Sequence, residues 1–404
     1  MIRRAVIRLS MLLALSFPVS AFSQQASTDS FASNDAGASA PAEHHHDAIM
    51  GGDDGMSGDH DMSGDHEGMS GDDDMSGHDM GEHDMGGHHH RVDHHDPAFL
   101  MFTHVLQQGE WMIGYRYTNS YLGGDQTGTT PLSTQAAFNA PGGGMYMMVP
   151  TGMTMEMHML DIMRGITDDF TLYLMPTWTD NTMNMLMSDG TTFRMTNGGF
   201  SDLPLGALWR IYHGQTDDVV LNIGFTAPTG DIHNMTMMPM DMGMSMLTAF
   251  PYTMRLGNGT WDACPGITYK HYWEQASFGF QGTFDLPMGL NDEQYRVGNQ
   301  YRATAWLAYL LDRKKSLAAT FRVEGLWRSN YVGVDPQLDA TMMSDNDPTM
   351  RGGDFLNLGA GFMYMLPKHL GLIEGEYLQP VVQNVRGIQE TTIASFAVRY
   401  IAMF

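Results

Sequence analysis

The amino-acid sequence predicts an all-β fold: a transmembrane antiparallel β-barrel of about twelve strands, preceded by a disordered tail rich in His, Met and Asp. Three observations predict it. A short apolar run near the N-terminus has the form of an export signal. From about residue 109 onward, apolar and polar residues alternate with period two. The connections between these alternating segments are short and long by turns.

The export signal is built from Arg3, Arg4 and Arg8, an apolar run over 11–19, and Ala21-Phe22-Ser23 as a small-residue cleavage site before Gln24. A membrane-spanning helix needs about 20 apolar residues, roughly twice this run. Residues 1–23 therefore read as a cleaved signal peptide. Beyond it no apolar stretch is long enough to span a bilayer as a helix. Only a closed barrel could then satisfy every backbone group in lipid. Cys264 is the single cysteine, which excludes an internal disulfide, and it reads as a small apolar filler.

Within the predicted barrel, Trp111, Ile113, Tyr115 and Tyr117 alternate with Met112, Gly114, Arg116 and Thr118. Strands of this kind are expected near 109–121, 152–165, 169–180, 199–212, 218–229, 259–270, 273–286, 293–311, 315–328, 353–366, 370–383 and 391–404. Short turns are expected near 165–169, 213–217, 270–272, 312–315 and 367–369. The longer connections fall at 122–151, 181–198, 230–258, 286–292, 329–352 and 384–390. An even strand count puts both termini on the short-turn side, the periplasm, with the long loops outside. The faces follow from charge, because a charged side chain against lipid costs about 2–4 kcal/mol at midplane. Phe396, Val398, Tyr400, Ala402 and Phe404 should meet lipid, and so should Phe321, Tyr377 and Trp209. The opposite phase puts Arg116, Glu156, His158, Arg210, Asp262, Arg302, Arg322, Glu324, Glu374, Glu376 and Arg399 in the lumen. These charges either line a polar path or pair across a filled interior. A soluble β-sandwich would explain neither the loop asymmetry nor the aromatic outward face.

The ending, Phe404 behind Tyr400, Val398 and Phe396, resembles the terminal signal read by the outer-membrane assembly machinery. Four further stretches carry a family resemblance: 165–172 (GITDDFTL), 201–206 (SDLPLG), 227–231 (APTGD) and 379–384 (QPVVQN). Over about 105–404 the chain resembles the outer-membrane family named for the MetA pathway of phenol degradation, often labelled "transporter". The resemblance implies a barrel and a channel role, and no functional residue is carried over. The leader departs from that family and looks like the metal-binding leaders of copper-resistance outer-membrane proteins.

The net charge of −25 is concentrated between Glu43 and Asp96, where Arg91 is the only base. Such acidity repels phosphates and disfavours nucleic acid. Residues 24–98 lack the apolar content to offset ordering entropy, so they read as a disordered tail, with the barrel at 99–404. The tail interleaves imidazoles and thioethers. Its candidate ligands are His44, His45, His46, Met50, Met56, His60, Met62, His66, Met69, Met75, His78, Met80, His83, Met85, His88, His89, His90, His94 and His95. Carboxylates alone would suit calcium or magnesium, but thioethers add nothing for those ions. Imidazole with thioether points to copper first, with zinc, nickel or silver as alternatives.

A second methionine-rich segment lies in a predicted outer loop: His233, Met235, Met237, Met238, Met240, Met242, Met244 and Met246. It offers soft sulfurs, or simply fills apolar gaps. The run Met153, Met155, Met157 and Met159 reads as one apolar strand face, with Glu156 and His158 on the lumenal phase. No nucleophile accompanies that Glu/His pair, and the sequence points to no enzyme. Three functions remain: an outer-membrane channel with a periplasmic metal-binding tail, a passive uptake channel for small hydrophobic or aromatic compounds, and a metal-sequestering protein with a closed barrel.

Overall fold

A computed structural model of the chain describes residues 91–141, 143–240, 244–367 and 370–404. The signal peptide and the leader up to residue 90 lie outside the described residues. The chain lays down β1 (Trp111–Gly128), β2 (Thr130–Pro131), β3 (Met148–Thr167), β4 (Phe170–Leu174), β5 (Thr177–Met187) and β6 (Thr192–Phe200). Next come β7 (Leu203–His213), β8 (Asp217–Ala227), β9 (Met235–Pro239), β10 (Ser245–Ala249), β11 (Trp261–Tyr272) and β12 (Ala276–Met288). Then β13 (Tyr295–Arg296), β14 (Gln300–Leu310), β15 (Leu317–Arg328), β16 (Val332–Gly333), β17 (Gly353–Met365) and β18 (Leu372–Met403) follow.

Eleven of these segments close an antiparallel ring, in the order β1, β18, β17, β15, β14, β12, β11, β8, β7, β4, β3 and back to β1. The segment β18 is itself a hairpin that reverses at Gly387, whose φ of +75° suits a residue without a Cβ. Its first arm pairs with β17 from Met365↔Leu372 to Gly353↔Val385. Its second arm pairs with β1 from Thr127↔Ile388 to Met112↔Met403. The wall therefore has twelve staves. Closure leaves no segment of the ring at an edge, which is what lipid demands of a sheet.

Short turns join β3 to β4, β7 to β8, β11 to β12, β14 to β15 and β17 to β18. The first and last staves meet at the same end, where Trp111 and Phe404 exchange backbone hydrogen bonds of 2.8 and 3.0 Å. Long excursions occupy the other end. Tyr115, Trp209, Phe225, Phe280, Phe321, Phe362, Tyr377 and Val398, from staves all around the ring, stand exposed on the outer surface. A continuous apolar belt of this extent is a lipid-facing surface. The chain is a membrane-spanning β-barrel.

The structure revises the connections in three places. The expected loop at 181–198 is mostly strand: β5 and β6 form a hairpin pairing from Leu186↔Thr192 to Trp178↔Phe200. Its turn is made by Asp189, which accepts from the Thr191 amide at 2.7 Å, and by Gly190 at φ +88°. The expected connection at 384–390 is the tight reversal within β18. The strand expected at 293–311 begins only at Gln300; the residues before it form β13, which pairs with β16 in a loop-borne two-stranded sheet.

Candidate functional site: a plugged lumen below a methionine-lined cavity

Residues 91–108 enter the barrel at the short-turn end, loop up into the lumen and return. The inbound limb is tied at the Val92 amide to Lys315 O (3.0 Å) and at Arg91 Nη2 to Trp273 O (2.7 Å), both on short turns. Val92–His94 form a single 3₁₀ turn, and Ser277 Oγ donates to Asp93 O. At the tip, the Phe99 amide donates to Glu376, Arg116 donates to Leu100 O, and Gln281 Nε2 donates to Met101 O. The outbound limb returns through Leu106 N–H to Thr171 Oγ1 and Gln108 N–H to Asp168 Oδ1. These partners sit on staves across the whole ring. The segment is a plug.

An apolar floor holds the plug in place. Val92 and Leu106 pack with Met112, Leu208, Val220, Leu310, Leu372 and Ile401, all inward-facing near the short-turn end. Burying such side chains contributes about 1.5–3 kcal/mol each. A void along its flank, beside Leu100 and Phe102, is about 20 Å³, room for a single water.

Above the floor the lumenal charges pair with one another. Asp161 takes Arg116 at 3.2 Å and Arg399 at 3.1 Å, and Arg399 reaches Glu374 at 3.4 Å. Arg322 joins Glu376 (2.6 Å) and Glu324 (2.7 Å), and Arg302 approaches Glu324 at 3.7 Å. On the opposite wall Lys270 Nζ lies 2.7 Å from Asp96 of the plug. Five cations thus face five carboxylates. Of the two sequence readings, polar path or paired interior, the structure has the paired interior.

The structure places Arg116, Arg302, Arg322, Glu324, Glu374, Glu376 and Arg399 inside, together with Asp262, buried beside Thr260. Arg210 lines a cavity at the short-turn mouth and lies 3.5 Å from Asp169. Glu156 and His158 are a correction. They project from the outer face, where Tyr117 and Asn119 donate to Glu156 and Tyr115 Oη pairs with His158 Nδ1. The lumenal phase of β3 is instead Met153, Met155, Met157, Met159 and Asp161. These outward polar groups are tolerated because neighbouring tyrosines and an asparagine take up their hydrogen bonds.

Two cavities flank the plug. The one at the short-turn mouth, about 650 Å³, is lined by Arg91, His94, His95, His104, Arg210, His213 and Lys270. His94 and His95 are the only members of the expected tail ligand set among the described residues. His94 packs on Tyr272 at 4.4 Å and His95 stacks on His104 at 5.0 Å. The other cavity, about 420 Å³, lies above the plug and has Met101 of the plug beside Met153, Met155, Met157, Met159 and Met175. Among the described residues no group of three or more His, Cys, Asp or Glu is placed to hold a metal ion.

The long-loop end carries a separate core made almost wholly of thioethers: Met148, Met153, Met183, Met185, Met187, Met195, Met238, Met254, Met342 and Met343, with Phe250. The expected loop ligands divide between its two sides. Met235, Met237, Met244 and Met246 are exposed, Met238 is buried in this core and Met240 packs against it. His233 sits 3.3 Å from Glu293, and Met242 lies outside the described residues.

No protein-family model and no curated relative matches the sequence. Solved structures do. An outer-membrane channel from Pseudomonas putida F1 is similar over 74% of this chain and 97% of its own, at 14% identity and TM-score 0.49. The transport unit of the autotransporter AIDA-I from Escherichia coli covers 76% and 92%, at 10% identity and TM-score 0.42. The toluene transporter TbuX of Ralstonia pickettii covers 74% and 90%, at 10% identity and TM-score 0.37.

Sequence reasoning missed the plug, Asp161, Lys270 and the methionines of β5 and β6. Asp161 was the available signal: it shares a phase with Met153–Met159, so that phase too carries a carboxylate.

Proposed function

We propose that the protein is an outer-membrane channel whose plug is the end of a metal-capturing periplasmic leader, with copper as the first metal and zinc, nickel or silver as alternatives. The observation that carries this reading is continuity. The His/Met/Asp-rich leader runs without a linker into Arg91 and the plug, so its last imidazoles, His94 and His95, line the cavity at the short-turn mouth. Metal gathered along the leader is thereby delivered to the inner mouth of the barrel. Ligands repeated every few residues along the leader suit several exchangeable sites better than one.

The test removes residues 24–90 and measures copper bound per refolded chain and growth under copper stress. The truncated chain is expected to bind less copper and to change tolerance. Equal copper on the full and truncated chains would end this reading.

A second reading, passive uptake of small hydrophobic or aromatic compounds, is favoured by the thioether and aromatic wall of the 420 Å³ cavity. It expects aromatic solutes to enter liposomes at a rate indifferent to metal. A third reading, metal sequestration by a closed barrel, is favoured by the plug, and the absence of conductance in planar bilayers would select it.

A further inference from the structure

Methionine is abundant in this chain, but it is not spread evenly among the cores. The core at the long-loop end is methionine in ten of its eleven buried members. The floor beneath the plug, built on the same barrel, has three methionines among thirteen buried members and otherwise uses mainly aliphatic residues. A third core, around Phe138 and Val149, has no buried methionine. Gap-filling alone predicts no such segregation, because leucine would fill a buried strand face with better-defined rotamers.

The register makes the difference chemical. On β3, β5 and β6, Met153 is directly opposite Met183, and Met183 is directly opposite Met195. All three point to the inner face and are at most 1% exposed. Directly opposed residues hold their Cβ atoms about 4.5–5.5 Å apart. Three flexible side chains in one row can therefore bring their sulfurs together around the central Met183. Met153 also lines the 420 Å³ cavity, so the row has access to the lumen.

We propose that Met153, Met183 and Met195 form a thioether site for a soft monovalent cation, Cu(I) or Ag(I), within the barrel. Neutral thioethers select soft d¹⁰ ions and discriminate against Zn(II), Mg(II) and Ca(II). Carboxyl groups lie nearby. Asp345 and Glu390 line the same cavity, and Asp125 is the cross-strand partner of Glu390. Asp125 Oδ1 and Glu390 Oε1 are buried and accept no hydrogen bond among the described residues. Thioethers carry no proton to displace, so the sulfurs of the row stay available at pH values where imidazoles are protonated. The site rests on the metal-handling reading for its purpose, but its chemistry is independent of the leader.

The test uses the full-length chain in detergent micelles, with every leader His and Met between 44 and 90 replaced by Ser so that only barrel sites report. Ag(I) serves as the probe, since it needs no reductant. Bound silver per chain is measured at pH 5 and pH 7 against a competing chelator. The parent is expected to hold about one Ag(I) at both pH values, and the Met153→Leu/Met183→Leu/Met195→Leu variant to lose it. Leucine nearly conserves volume and apolarity, so the barrel should still fold, read as heat-modifiable gel mobility. If the triple variant is unfolded, Met183→Leu alone is measured and should weaken binding at least tenfold. Unchanged silver on a folded variant would overturn the site. Loss of silver on substituting the row, with copper tolerance indifferent to the leader, would sink the leader reading and leave this one standing.

Discussion

Glu376 is shared between wall and plug: its Oε1 lies 2.6 Å from Arg322 Nε, while its Oε2 accepts the Phe99 amide at 2.9 Å. The Arg322 guanidinium also lies over the Phe99 ring, 5.4 Å from its centroid. One buried carboxylate thus holds the tip of the plug against the charged belt. Removing one partner of a buried pair costs about 3–5 kcal/mol. A loss of only about 1.4 kcal/mol from the plugged state multiplies the unplugged fraction about tenfold.

Glu376→Ala should therefore raise steady conductance in planar bilayers by about tenfold or more. Glu376→Gln, which keeps an acceptor for the Phe99 amide, should fall between it and the parent. If folded Glu376→Ala conducts no more than the parent, the plug is not the seal.

The corrected phase of β3 has its own test. Met157 lines the cavity, whereas Glu156 and His158 face outward. In a Cys264→Ser background, Met157→Cys should react with a small water-soluble thiol reagent in liposomes. His158→Cys should react only with a lipid-soluble one. The reverse pattern would restore the sequence-based assignment.

Period-two alternation made every stave and most face assignments legible, because a barrel wall separates lipid from lumen residue by residue. It misplaced β3, where thioethers were taken for a lipid face although Asp161, in the same phase, pairs with Arg116 and Arg399. The plug was illegible for a different reason. Residues 97–108 have no period, and their partners, Glu376, Gln281 and Thr171, are set by closure of the ring rather than by local pattern. The β5–β6 hairpin was hidden by its Met, Asn, Thr and Gly content, which reads as loop until alternation is counted.

The turn between β14 and β15 predicts an acid dependence. Against a burial penalty, hydrogen bonds from the Ser316 hydroxyl and from the Leu317 and Ser316 amides hold the Asp312 carboxyl below its ordinary value of 3.8. A folded pKa below the unfolded one adds stability that is complete above that ordinary value and is lost as pH falls through the folded value. Denaturant midpoints of the parent should therefore drop on acidification below about pH 4, and Asp312→Asn should flatten part of that drop. Parallel midpoint curves for parent and variant would remove Asp312 from the account.

The outer loop predicts an order of oxidation. On the β9–β10 hairpin, Met237 and Met244 are 60% and 63% exposed, whereas Met238 is 2% exposed within the thioether core. Dilute peroxide converts a thioether to a sulfoxide only where it can reach the sulfur, so buried methionines react through local opening. An opening cost of about 1.4 kcal/mol already slows reaction tenfold. Peptide mass spectrometry should find Met237 and Met244 oxidised first, and Met238, Met183 and Met195 at least about tenfold later. Once the core does oxidise, polar sulfoxides inside it should loosen the long-loop end and speed proteolysis there. Equal rates at Met237 and Met238 would mean that the hairpin does not lie down on the core.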